Sequence, residues 1–208
     1  MMLRYNESDS EQSDSANDMI TFENLSQNYH IGFVDVVNST RSIARLSQEN
    51  TRTFYSVFLN TVGYVIQNNG GQVVKNTGDG LLFYFPKHHV TPEGYDVSLE
   101  CGFKILAATK SINDIFKKRK IPSIHYRISM DYGPVMVAKY STSSCVDIFG
   151  PTVNVCSKIN HFAKSDQMVI GSDMFQTAKK LKKYKFNEEA EFQSALKQDY
   201  SVYSVETI

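Results

Sequence analysis

Residues 73–86 read VVKNTGDGLLFYFP. Val73 and Val74 lead in and Leu81 to Phe85 lead out, with Gly78 and Gly80 marking a tight reversal, so the stretch predicts a β-hairpin. Its residues are less ordinary than its shape. Any Asn-Gly would close such a turn, yet this one carries an acid at Asp79 and a base at Lys75. Asp-Gly is itself a favoured turn pair and a strand lysine is commonly solvated, so the stretch alone leaves structural and functional explanations level.

Upstream, from His30, IGFVDVV is a nearly continuous apolar run of the kind a strand buried on both faces shows. Asn38, Ser39 and Thr40 interrupt it. From there to about Gln67, Ile43, Leu46, Phe54, Val57, Phe58, Val62, Val65 and Ile66 fall mostly at helical spacing, ended by Asn-Asn-Gly-Gly. That predicts one long helix before the hairpin. After the hairpin, Leu99, Phe103, Ile105, Leu106, Ile112, Ile115 and Phe116 mark a second helix over about 94–118, stopped before Pro122. Then come a strand at 124–130, a turn at Asp131-Tyr132-Gly133-Pro134 and a strand at 135–140. Residues 141–148 read as a polar arm, 151–163 as a helix, 168–170 as a strand and 173–180 as a short helix. Two closing strands are expected near 190–197 and 200–206.

The succession is βαββαβ with an added hairpin. It predicts an α+β fold with a ferredoxin-like core, additional C-terminal strands, and helices on the sheet face. Residues 1–27 are rich in Ser, Asn, Asp and Glu and read as a flexible acidic tail, with 28–208 as the folded domain. A frayed terminus is the favoured reading of Met19 to Leu25, with a short docking segment as the alternative.

Composition narrows the function classes. Lys plus Arg equals Asp plus Glu at 22 each. No overall field therefore draws the chain to nucleic acid or an anionic membrane, and phosphate binding must come from a local site. Cys101, Cys145 and Cys156 are never spaced as Cys-x-x-Cys, so neither a disulfide framework nor a structural zinc site is indicated. With no cleavable leader pattern and no membrane-length apolar run, the expected location is cytoplasmic. The run KKLKKYK at 179–185 reads as a solvated helix end, and His88-His89 as a solvated pair.

Asp35 ends the first strand and Asp79 sits at the hairpin tip. In a ferredoxin-like sheet the first strand and the hairpin's outgoing strand can lie side by side, which would bring the two carboxylates to one end. Paired carboxylates suit a hard cation such as magnesium that keeps positions for water and phosphate oxygens. The helix beginning around Asn38, Ser39 and Thr40 offers free amides as a phosphate cradle at the same corner. Taken alone, without Asp79, Asp35 reads preferentially as a strand-end acid that caps the helix.

Together, FVDVVNST, KNTGDG and DIFGPTVNVCSK resemble the catalytic domain of class III nucleotidyl cyclases, the adenylate and guanylate cyclases that act as dimers. The resemblance spans about 30–206. It implies that Asp35 and Asp79 bind two magnesium or manganese ions, with the Val36 carbonyl as a further ligand. It also implies that Lys75 and Asp147 read the purine, a combination that selects adenine. Asn154 matches the residue that positions the ribose. ATP is the implied substrate, 3′,5′-cyclic AMP and pyrophosphate the products, and a homodimer with composite sites the assembly.

The sequence departs from the family at three places. Lys158 stands where an arginine faces the transition state, and a lysine lacks the planar fork that grips phosphate oxygens bidentately. Losing such a donor typically slows a reaction by about 10² to 10³. Pro134 replaces a phosphate-binding arginine of some members, and Lys197 is a weak match to a late phosphate-binding lysine. Those departures leave a cyclase-like domain that binds nucleotide, or pairs with an active subunit, as the alternative. An RNA-binding ferredoxin-like sheet is disfavoured by neutral charge and by the absence of an aromatic stacking signature.

Overall fold

A computed structural model of the chain describes residues 19–22, 26–86, 92–142, 145–192 and 199–208. The first strands are β1 (Ile20–Phe22) and β2 (Gln27–Val36), followed by helices α1 (Ser39–Ile43) and α2 (Gln48–Asn68). The hairpin is β3 (Gln72–Asn76) and β4 (Gly80–Phe85), and α3 (Pro92–Lys118) leads to β5 (Tyr126–Tyr140). The rest is β6 (Val146–Phe149), α4 (Pro151–Ile159) with one 3₁₀ turn, β7 (Met168–Gly171), α5 (Ser172–Ala178), β8 (Tyr184–Phe192) and β9 (Tyr200–Thr207).

The main sheet runs β3-β4-β2-β5-β7-β9-β8, with β1 and β6 both paired to β5. Its first four strands have the ferredoxin-like order, and β2 lies antiparallel between β4 and β5. Val34 and Val36 of β2 face α2 and α3 with Leu81, Phe83 and Phe85 of β4. Phe54, Phe58, Val62 and Ile66 recur every four residues to form the buried stripe of α2, and Phe54 stacks on Phe116 of α3 at 5.2 Å. Each such buried side chain contributes about 1.5–3 kcal/mol of apolar burial. The opposite sheet face carries Ile31, Leu82, Tyr84, Val135 and Val137, and Cys156 of α4 packs there. Asp35 follows the parity of Ile31, so its side chain belongs to the α4 face.

Several expectations are corrected. The predicted long helix is two helices, because Ser47 leaves helical geometry and its Oγ accepts from the Asn50 amide at 3.2 Å, starting α2 afresh. No turn interrupts 131–134: β5 is continuous, and Gln27 to Tyr29 of β2 pair with Val135 to Gly133. Pro134 is tolerated because β7 pairs with β5 only as far as Met130 and the pairing with β6 starts at Met136, so it falls between the two ladders. Strand β8 begins at Tyr184 rather than near 190, since Tyr184 and Phe186 alternate into the core behind the basic run.

Strand β1 falls inside the segment 1–27, pairing Ile20 with Tyr140 and Phe22 with Ala138, while the Ser141 amide donates to the Met19 carbonyl. Residues 1–18, His88, His89 and Lys197 lie outside the described residues. Among the described residues no helix is long and apolar enough to cross a membrane.

Candidate functional site

Strand register places Asp35 opposite Gly80 on β4 and opposite Arg127 on β5. The hairpin tip can come this close only because residue 80 is glycine: a Cβ there would lie 2.1 Å from the Val34 carbonyl oxygen. Gly78, at φ 101°, makes the left-handed step of the turn. Asp79 is thereby pinned beside the end of β2, its carbonyl accepting from the Val36 amide at 3.1 Å.

Both carboxylates are held from one side. The Ser39 hydroxyl donates to Asp79 Oδ2 at 2.5 Å, and Arg127 donates to Asp35 Oδ2 through Nε at 3.0 Å and Nη2 at 2.8 Å. Burial pushes the Asp35 carboxyl above its ordinary range. The Arg127 hydrogen bonds pull it back, and the neighbouring charge of Asp79 pushes it up again. Neither Oδ1 accepts a hydrogen bond among the described residues. Asp79 also lines a cleft of about 440 Å³ with Ser39, Thr40, Ile43, Tyr55 and Gly78.

These residues fit a hard cation through two carboxylates with an unengaged oxygen each, beside the Val36 backbone. Among the described residues no group of three or more His, Cys, Asp or Glu side chains is placed to hold a metal. Most ligands at such a site would come from water or a bound anion.

The start of α1 differs in detail from the expected cradle. Asn38 is its N-cap in left-handed geometry, φ 55°, without a side-chain capping bond; Ser39 is buried under Asp79, and Thr40 is exposed at the cleft.

A second cluster forms where β3 meets β6. Lys75 Nζ donates to Asp147 Oδ2 at 2.8 Å, the Ile148 amide donates to Oδ1 at 2.8 Å, and the Tyr140 hydroxyl reaches Oδ2 at 3.4 Å. Among the described residues no hydrogen bond or ion pair links this cluster to Asp35 or Asp79.

A third set, Asn154 and Lys158, lies exposed one helical turn apart on α4. The opposite side of α4 is anchored: Ser129 Oγ donates to the Cys156 carbonyl at 2.7 Å, and Ile159 is fully buried. Pro134 supplies only a carbonyl here, accepting from Thr152 Oγ1 at 3.0 Å.

Arg127 escaped the sequence reading, as did His161, whose Nδ1 lies 3.4 Å from Arg127 Nη2. The signal was an arginine in the middle of the segment 124–130 predicted as a strand, a charge that needs a partner once the strand is packed.

The family described as the adenylate and guanylate cyclase catalytic domain matches residues 23–207. An adenylate cyclase of Streptomyces coelicolor is 24% identical over 140 residues, 67% of this chain and 31% of that protein. The chain spans about a third of the length of the curated relatives it matches. Among solved structures, the adenylyl cyclase CyaB from P. aeruginosa superposes with a TM-score of 0.78 at 16% identity, covering 88% of this chain and 96% of that one. The guanylyl cyclase Cya2 gives 0.77 at 19% identity, covering 86% and 91%. At these identities the superpositions speak for the fold.

Proposed function

Since the chain belongs to the adenylate and guanylate cyclase catalytic-domain family, we propose that it is an adenylate cyclase converting ATP to 3′,5′-cyclic AMP and pyrophosphate as a homodimer. The observation that carries adenine over guanine is the Lys75–Asp147 pair, joined at 2.8 Å. Lys75 presents only donors, suited to a purine ring nitrogen, and Asp147 presents acceptor oxygens, suited to the exocyclic amino group of adenine. Guanine offers a carbonyl oxygen where adenine offers that amino group, and Asp147 would repel it.

Asp35 and Asp79, with the Val36 carbonyl, would hold magnesium or manganese, which neutralises triphosphate charge and makes the ribose 3′-hydroxyl more acidic. The Ser39 hydroxyl keeps Asp79 oriented, and the exposed start of α1 at Asn38 and Thr40 takes phosphate oxygens. Asn154 orients the ribose so that the 3′-oxygen meets the α-phosphorus opposite the leaving pyrophosphate. Lys158 offers its ammonium to the charge that develops on the transferring phosphoryl group. Lys197 is the remaining candidate for the phosphates.

In the composite arrangement that the family resemblance implies, one protomer's carboxylates work with its partner's purine pair and α4 face. A two-fold dimer then contains two such sites. The test is product formation by the purified chain with Mn²⁺ and either ATP or GTP. Cyclic AMP from ATP, little cyclic GMP, and loss of both in Asp79→Ala would support the reading.

A second reading, a domain that holds nucleotide without turning it over, is favoured by Lys158 and Pro134, both exposed where the family resemblance implies arginines. Its signature would be ATP binding without product, unchanged by Lys158→Arg.

A further inference from the structure

Strand β5 outruns the strand that pairs with most of its length. Its ladder with β2 ends at Val135, and beyond that point Met136 to Lys139 pair with β6 on one side while Ala138 to Tyr140 pair with β1 on the other. Strand β1 precedes the residues that the cyclase family matches. Ala138 stands between Phe22 and Asp147. Residues directly opposite one another share a face, so Phe22, Ala138 and Asp147 lie on one side of this three-stranded extension. Tyr140, on the same side, is paired with Ile20 and reaches Asp147 Oδ2 with its hydroxyl at 3.4 Å. Phe22 packs edge-on against Phe149, ring centres 5.9 Å apart, and the Ser141 amide donates to the Met19 carbonyl at 3.1 Å. Without β1, this part of β5 and β6 would be a two-stranded ribbon with an open edge, an arrangement of marginal stability.

We infer that β1 is a positioning element for base recognition: it holds the β5–β6 arm so that Asp147 keeps its place against Lys75. This rests on the reading of Lys75 and Asp147 as the purine pair. The acid sits on the arm and the lysine on β3 at the end of the main sheet. Any looseness of the arm therefore changes the separation of two groups that must meet one purine edge together. Strand β1 acts through Asp147. Its three residues bury little, Phe22 being 51% exposed, so a change in β1 alters adenine selection while the core of α2, α3 and β2 keeps its packing.

The alternation of an antiparallel ladder gives the Thr21 amide to Lys139, two residues on from the Ser141–Met19 bond. Thr21→Pro in the full chain removes that donor at an exposed position, and Thr21→Val, which keeps it, is the control. Binding is measured with Mn²⁺ and either 3′-deoxy-ATP or 3′-deoxy-GTP, which lack the attacking hydroxyl, and amide hydrogen exchange is followed over 136–142 and 145–149. Thr21→Pro should speed exchange in the arm, weaken binding of 3′-deoxy-ATP about tenfold, the worth of one hydrogen bond to a charged group, and leave that of 3′-deoxy-GTP nearly unchanged. Thr21→Val should follow the wild type. Phe22→Ser, which removes the contact with Phe149, should act in the same direction and serves if Thr21→Pro does not fold. Faster arm exchange with unchanged binding of 3′-deoxy-ATP, equal weakening of both analogues, or unchanged arm exchange in both variants would overturn the inference, and the purine-pair reading stands where Asp147→Ala still weakens 3′-deoxy-ATP. Binding of 3′-deoxy-ATP indifferent to Asp147→Ala would overturn both.

Discussion

Lys75 on β3 and Asp147 on β6 meet at 2.8 Å although the main-sheet order separates their strands by β4, β2 and β5. Lys75 is 49% exposed while Asp147 is 11% exposed. With its lysine end half open to water the pair is worth about 1 kcal/mol to the fold, and without Lys75 the Asp147 carboxylate keeps the Ile148 amide and the Tyr140 hydroxyl. Lys75→Met should therefore leave the unfolding midpoint in urea nearly unchanged. Binding of an adenine nucleotide should fall at least about tenfold, because the donor to the ring nitrogen is gone. Lys75→Glu should in addition raise the ratio of GTP to ATP binding. Equal loss of stability and binding would make the pair a structural strut.

Ser39 offers a way to disturb Asp79 without removing it. Its hydroxyl is buried against Oδ2 at 2.5 Å. Ser39→Ala frees the carboxylate to rotate, and a hydrogen bond to a charged group is worth about 1.5–3 kcal/mol. Turnover should fall by roughly 10- to 100-fold at saturating Mn²⁺, with a circular dichroism spectrum like that of the wild type. Steady-state kinetics with the Ala and Thr variants check this, Thr restoring most of the loss.

Lys158 is predicted to limit the rate. With its head group exposed on α4, Lys158→Arg has room for the larger fork and should raise kcat by about 10- to 100-fold, part of the usual worth of such a donor. A KM for ATP that stays constant would place the gain in the transition state. An unchanged kcat would mean that the charge here is idle.

Asp131 predicts a pH dependence of stability away from the candidate site. Burial raises its pKa from 3.8 to about 7, offset in part by the Tyr200 hydroxyl and the Tyr132 amide and reinforced by the nearby charge of Asp173. A carboxyl with a folded pKa above its unfolded value is protonated more in the folded state between the two. Its contribution is complete below about pH 4 and is lost as pH rises to about 7. Relative to Asp131→Asn, the wild type should lose stability across that window by at most about 1.4 kcal/mol per pH unit. Urea unfolding of both proteins at intervals from pH 4.5 to 8 measures it, and parallel curves would contradict it.

The hairpin and the first strand were legible because each carries its pattern within about ten residues: an apolar run, a glycine-marked reversal, another apolar run. The ferredoxin-like order followed from the succession of elements alone. What the sequence hid depends on partners. Asp131 to Pro134 has turn composition, yet it is held extended by pairing with Ile31 back to Asn28, where β2 begins in a segment that looks polar in isolation. Ser47, followed by Glu49 and Asn50, carried a readable helix-start signal that the apolar spacing overrode. Tyr184 and Phe186 were screened by the lysines around them. At the candidate site, Asp35, Asp79, Lys75 and Asp147 came from motif and spacing. Arg127 did not, because its meaning arises only when β5 lies beside β2 in one particular register.

The measurement that bears most directly on the central claim is cyclic AMP formation by a one-to-one mixture of Asp79→Ala and Asn154→Ala chains, each first assayed alone. Each variant should be inactive as a homodimer, since each spoils one half of both sites. In the mixture, half of the dimers pair unlike chains and restore one of two sites, so about a quarter of wild-type activity should return. No recovery in the mixed chains, with an active wild type, would contradict a site shared between protomers, and no cyclic AMP from the wild type would contradict the cyclase itself.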